Sequence, residues 1–156
     1  MASDTHLARG ATAGRHLVAE YRDCDPAVLN DIDAITSLMQ RAAVAAGATV
    51  VSTAFHRFSP TGVSGVVVIQ ESHLSVHTWP EQSYAAIDFY TCGTCDPKLA
   101  HDVLAEGLGA GHGELVMLRR GVPGQRMNGW QATWRRAEPI DWQATELLSL
   151  PSARTP

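Results

Sequence analysis

Two Asp-Pro dipeptides, Asp25-Pro26 and Asp96-Pro97, constrain this chain more than any other feature. An aspartate is a strong helix N-cap, because its carboxylate accepts hydrogen bonds from the free amides of the first turn. A proline next to it has its backbone torsion preset for a helix and lacks an amide that would go unbonded there. Each dipeptide therefore opens a helix. After the first, Leu29, Ile32, Ile35, Leu38, Met39, Ala42 and Ala46 recur at helical spacing. This predicts one helix over 27–46, ended by Gly47 as a left-handed cap. After the second, Leu99, Val103, Leu104 and Leu108 carry a shorter helical stripe.

Between and around these helices lie runs rich in β-branched residues, at 15–24, 49–58, 63–70, 83–92 and 113–120. They read as strands, with a turn at "SPTG" (59–62) and a break at Pro80. Strand, helix, strands, helix, strand is the order of an α+β domain. The expected architecture is a two-layer α/β sandwich: an antiparallel sheet with two helices packed on one face. Residues 1–13 are small and polar and read as a disordered lead-in. The tail 121–156 holds Trp130, Trp134 and Trp142, three of the four tryptophans, with little sustained periodicity. It either packs on the domain or contacts a partner.

Composition narrows the class of function. A net charge of −4 and a single lysine, Lys98, argue against nucleic acid as a partner. No apolar run reaches the roughly 18 residues of a membrane span, and the first residues lack the apolar core of a secretory signal. Three cysteines, Cys24, Cys92 and Cys95, make no disulfide framework. A cytoplasmic protein with reduced thiols is the expectation.

The stretch "IQESHLSVHTWPEQ" (69–82) interrupts an apolar strand with polar residues. Taken singly, these residues say little. Ser72 reads as an ordinary strand or turn hydroxyl, and Ser64 as a turn hydroxyl. His73 and His77 share one face of a helix or of a strand, but two histidines do not complete a zinc site. Cys92 and Cys95 form "CGTC", which fits a redox C-x-x-C or a pair of partly buried thiols. On composition alone, Phe58 and Trp79 read as core residues rather than ligand contacts.

Their order along the chain says more. From Gly62 to Gly93 the sequence runs "GVSGVVVIQESHLSVHTWPEQSYAAIDFYTCG". A GVSG turn, an ESHL-x-x-H segment, W-P-E and an A-x-I-D-x-x-T-C-G strand follow one another without a gap. This closely resembles the prokaryotic S-adenosylmethionine decarboxylases, pyruvoyl enzymes made as a single inactive chain. The resemblance runs from about Gly14 to about Arg120. It marks 14–120 as the decarboxylase-like domain, leaving 1–13 and the tail 121–156 outside.

Decarboxylating an amino acid leaves electrons on the α-carbon that no ordinary side chain accepts, so an electrophilic carbonyl is needed. The resemblance implies that Ser72 supplies it as a pyruvoyl group, with no metal and no pyridoxal phosphate (PLP). Ser72 Oγ would attack the carbonyl of Glu71 and turn the amide into an ester. Elimination and hydrolysis would then leave a β chain of 1–71 and an α chain of 72–156 that begins with the pyruvoyl group. Substrate would bind that group as a Schiff base. His77 matches the proton acceptor of self-cleavage, a suitable task for a near-neutral imidazole. Ser64 matches a serine that assists it, and Glu71 stays behind as the new chain end. Cys92 matches the proton donor of decarboxylation, and an ordinary thiol, with a pKa of about 8.5, is mostly protonated at neutral pH. Cys95 has no counterpart. Phe58 and Trp79 match positions that stack on adenine, and Glu81 is placed to accept from ribose hydroxyls.

One geometric expectation follows. Ser72 and His77 differ by an odd number and face opposite sides of a regular strand. For them to meet, the chain has to bend or bulge near the cut. Expected partners are S-adenosylmethionine and a second processed copy, giving a dimer of αβ units with sites that could be shared. The product would feed spermidine synthesis. Two other readings stay open: a related pyruvoyl enzyme acting on ornithine or arginine, and an unprocessed homologue that regulates or binds a metabolite.

Overall fold

The structure, a computed structural model, describes residues 12–70 and 72–145. Most of the lead-in, Glu71 and the last part of the tail lie outside the described residues. In chain order the elements are β1 (Gly14–Arg22), α1 (Pro26–Leu29), α2 (Ile32–Ala45), β2 (Val50–Arg57), β3 (Val63–Ile69) and β4 (Ser72–Trp79). A single 3-10 turn, Pro80–Gln82, leads into β5 (Tyr84–Cys92), α3 (Pro97–Gly107), β6 (His112–Arg120), β7 (Asn128–Arg135) and β8 (Gln143–Thr145).

Both Asp-Pro dipeptides start helices as their chemistry demands. Asp25 accepts from the amide of Ala27, and Asp96 from that of Lys98. Gly47 follows α2 with φ +88°, the left-handed cap. The predicted helix 27–46 is, however, two helices. Asp31 competes for the backbone amides and caps a new helix, accepting from Asp33 and Ala34. Its neighbour Asn30 turns its side-chain oxygen to the amide of Gly62, tying the break to the start of β3.

The strands form one eight-stranded sheet in the order β2-β3-β4-β5-β1-β6-β7-β8, with each neighbouring pair antiparallel. Alternate residues separate the faces. Leu17, Ala19 and Tyr21 of β1, Leu74 and Val76 of β4, and Ala85, Ile87 and Phe89 of β5 are buried. They join one core with Ile35, Leu38, Met39 and Ala42 of α2 and Ala100 and Leu104 of α3. The two long helices approach closely where α3 carries Gly107, since a Cβ there would run into the Leu38 side chain.

The described part of the tryptophan-bearing tail, 121–145, packs on the domain. Trp130 and Trp134 continue the helix-covered face of the sheet, and Trp134 meets Tyr21 and His101 edge-on at 6.3 and 5.1 Å. Lys98 Nζ lies 5.4 Å from the centre of the Trp142 ring. Among the described residues, no helix covers the other face of the sheet. It exposes Val18, Val68 and Trp79 among the polar side chains of the central strands.

Candidate active site

Ser72 opens β4. It pairs with Ile69 across a two-residue hairpin turn, the tightest common connection of antiparallel strands. It shares its parity with Leu74, Val76 and Thr78, the buried residues of the strand. Among the described residues, its Oγ is the one buried side-chain polar atom without a hydrogen-bond partner. A buried hydroxyl without a partner costs about 1–3 kcal/mol, so a strand does not keep one for stability. Glu71, the other side of the bond, lies outside the described residues.

Ser64 and His77 face each other across β3 and β4, with Oγ and Nδ1 2.8 Å apart on the uncovered face. Beside them Ala54, Phe55, His56 and Val66 help to line an open groove of about 400 Å³. The register is unbroken from Ser72 to His77 against β3 and from His73 to His77 against β5. The expected bend is therefore absent there. Five residues of regular strand put the two about 16 Å apart and on opposite faces. The ladders to β3 and β5 hold β4 straight, which is the physical reason no bulge forms. His73 and His77 share a face but stand about 13 Å apart, too far to hold one metal ion.

Cys92 ends β5, two residues beyond Tyr90, which pairs with His73. It therefore lies at the same end of the sheet as Ser72. Phe58, Trp79 and Glu81 gather at the other end. Trp79 is 41% exposed and stacks on Tyr84 at 5.2 Å, while Phe58 is 49% exposed and sits against His56. Neither is core. Glu81 accepts a hydrogen bond from Thr61 at 3.2 Å, joining the turn after β2 to the turn after β4. Seven residues of strand separate Trp79 from Ser72, about 23 Å.

A further cluster joins β1, β4, β5 and β6 on the uncovered face. Asp88 Oδ2 accepts from His16 Nε2 at 2.7 Å and from His73 Nε2 at 3.2 Å, and Asp88 Oδ1 accepts from Ser75. Arg120 lies 3.0 Å from His16 Nδ1 and its guanidinium stacks on Tyr90 at 4.4 Å. Arginine can only donate, so Nδ1 of His16 must accept and its proton sits on Nε2, toward Asp88. Burial alone would raise the Asp88 pKa. The hydrogen bonds from His16, Ser75 and His73 outweigh it and hold the carboxyl far below the ordinary range. His16, His73 and Asp88 present three possible ligand atoms within 4.8 Å of one another. The Arg120 contact works against a metal there, because ligation through Nε2 would turn an Nδ1–H against the guanidinium. Sequence reading missed this cluster. Its signal was the polar Asp88 in an otherwise apolar strand, in phase with His73 and Ser75 once the register is known.

Of the other two thiols, only Cys24 is buried. Burial, with some help from the Asp23 charge, pushes the Cys24 thiol up to about 12, that of an inert core residue. Cys95 is a free thiol whose carbonyl accepts from Arg15 at 2.5 Å.

A model of the S-adenosylmethionine decarboxylase family matches residues 15–121. The chain belongs to this family. It is 52% identical over 111 residues to the S-adenosylmethionine decarboxylase proenzyme of Geobacillus kaustophilus, covering 71% of this chain and 90% of that one. With the proenzyme of Bacillus cytotoxicus it shares 53% identity over 112 residues, covering 71% and 86%. Among solved structures, the adenosylmethionine decarboxylase of Aquifex aeolicus superposes with a TM-score of 0.67 at 32% identity, over 75% of this chain and 98% of that one. The match to the family ends at residue 121, so β7 and β8 lie beyond it.

Proposed function

We propose that this member of the S-adenosylmethionine decarboxylase family cuts itself between Glu71 and Ser72, and that the group made from Ser72 then serves the decarboxylation of S-adenosylmethionine. The observation that carries this is the buried, unpartnered Oγ of Ser72 directly after a hairpin turn. A hydroxyl without a partner is free to attack the neighbouring carbonyl. The amide then becomes an ester, loss of the residue-72 α-proton expels Glu71 as a carboxylate, and water replaces the nitrogen, released as ammonia. The resulting carbonyl group, when present, supplies a sink for the electrons freed by loss of CO2.

The remaining work falls to residues of the chain. His77, oriented by Ser64, takes the α-proton during self-cleavage. Cys92, beside the start of β4, returns a proton to the substrate carbon. Phe58 and Trp79 offer exposed aromatic faces to adenine and to the sulfonium charge, and Glu81 accepts from ribose hydroxyls.

The spacing supports an assembly of two copies. Within one chain, His77 and the Phe58–Trp79–Glu81 group stand about 16 to 23 Å along β4 from Ser72. Two copies packed through their uncovered sheet faces, with strands reversed, would bring that group of one chain to the Ser72–Cys92 end of the other. The exposed Val18 and Val68 fit such a contact. Intact mass under denaturing conditions tests the central step. Two fragments, the larger-numbered one blocked by a pyruvoyl group, are expected; a single full-length species would overturn the proposal.

A further inference from the structure

Self-cleavage creates a problem that the fold has to solve. Before the cut, residue 72 is held by a two-residue hairpin turn to its partner Ile69. Afterwards, on the reading above, it is a free chain end, and chain ends fray unless tied down. A reacting group has to be held within about 0.5 Å of its productive place.

The first four residues of the α chain would be the group made from Ser72, followed by His73, Leu74 and Ser75. Two of these four side chains hold one carboxylate on the neighbouring strand: His73 Nε2 and Ser75 Oγ both reach Asp88. Ser75 pairs directly with Asp88 in the ladder, and His73 is the next residue on the same face. The carboxylate is itself fixed from the other side. His16 of β1 donates to it, and Arg120 of β6 fixes the His16 tautomer. The start of β4 is thus linked through β5 and β1 to β6 by hydrogen bonds that do not pass through the hairpin turn. We propose that Asp88 is the positioning residue that keeps the new chain end in register after the cut, holding it through His73 and Ser75.

The idea separates from an ordinary sheet contact by its dependence on the cut. While the turn is intact, loop closure already holds residues 72–75 and the Asp88 contacts add little. Once the turn is open they carry the end. A hydrogen bond to a charged acceptor corresponds to roughly 10- to 100-fold in an opening equilibrium. The test is amide hydrogen exchange over residues 73–76 in four proteins: the cut wild type, cut Asp88→Asn, and uncut Ser72→Ala with and without Asp88→Asn. Exchange should quicken by about 10- to 100-fold in the cut pair and by less than about threefold in the uncut pair. In the cut pair, kcat should fall while KM for S-adenosylmethionine stays within about threefold.

Equal acceleration in both backgrounds would make the cluster merely structural and overturn the proposal, as would no acceleration in either. Failure of Asp88→Asn to cut would overturn it too, since the cluster would then act before the chain end exists. Should that variant not fold, His73→Phe in the same two backgrounds removes one of the two holds and carries the same comparison. A wild type that never cuts refutes the function proposed above instead, and mass shows this before any variant is compared.

Discussion

Ser64 Oγ and His77 Nδ1 stand 2.8 Å apart on facing residues of β3 and β4, held in place by an unbroken ladder. A hydroxyl at this distance fixes the orientation of the imidazole ring, and on the proposed reading His77 is the base of self-cleavage. His77→Ala should therefore slow self-cleavage by about 10²- to 10⁴-fold, the usual worth of a positioned base. Ser64→Ala should slow it by about 2- to 10-fold, the worth of one neutral hydrogen bond. The fraction cut, followed by mass against time after refolding, reads both. Equal rates in all three proteins would remove the pair from the process.

The separation of Ser72 from His77 along β4 leads to a complementation experiment. Ser72→Ala cannot be cut but keeps His77, whereas His77→Ala keeps the bond but lacks the base. Expressed together with distinguishable tags, the pair should restore cutting in the His77→Ala chain. Expressed apart, each should remain whole. No restoration in mixed assemblies would mean that each chain processes itself.

On the proposed reading, Cys92 acts in the later step alone. Cys92→Ala should cut at a normal rate, judged by mass, and lose about 10²- to 10⁴-fold in kcat for S-adenosylmethionine. A variant that also fails to cut would place the thiol in self-cleavage as well.

Acid sensitivity should arise in part from the core. His101 of α3 is buried, stacks on Tyr21 and lies 2.8 Å from its hydroxyl through Nδ1. Burial pulls its pKa below the ordinary histidine value, with the Asp102 charge opposing. An unfolded histidine takes up a proton near pH 6.5, while the folded one stays neutral to lower pH. Stability is then unaffected well above pH 6.5. It falls as pH drops below that point, toward the folded value, by at most about 1.4 kcal/mol per pH unit for one proton. His101→Gln should show a shallower decline of Tm between pH 7 and 5 than the wild type. Parallel declines would exclude His101 as a source.

What could be read from the chain alone depended on whether the signal was local. Asp25-Pro26 and Asp96-Pro97 start helices because capping involves only the next few amides. The apolar stripe over 27–46 hid the break at Asn30, although Asp31, which caps the second helix, is a local signal; only the tie from Asn30 to Gly62 is remote. Trp130, Ala132 and Trp134 alternate as a strand should, yet three positions are little to see until β6 supplies the ladder. The odd spacing of Ser72 and His77 was read correctly as opposite faces. The inferred bend was not, since a lone strand gives no sign of the neighbours that keep it straight. Asp88 meets His73 and Ser75 because β5 pairs with β4, but it reaches His16 only because β1 lies on the other side of β5, an order that no local pattern encodes.

That strand order also decides what a cut chain can do next. β1 belongs to the segment before residue 71, while its two neighbours, β5 and β6, belong to the segment after it. The earlier fragment is therefore woven into the middle of the later one. It meets it a second time where β3 lies against β4. To part, the two polypeptides would have to break three ladders and split the core between them. One severed bond leaves two molecules in the covalent sense, and a single inseparable body in every mechanical one.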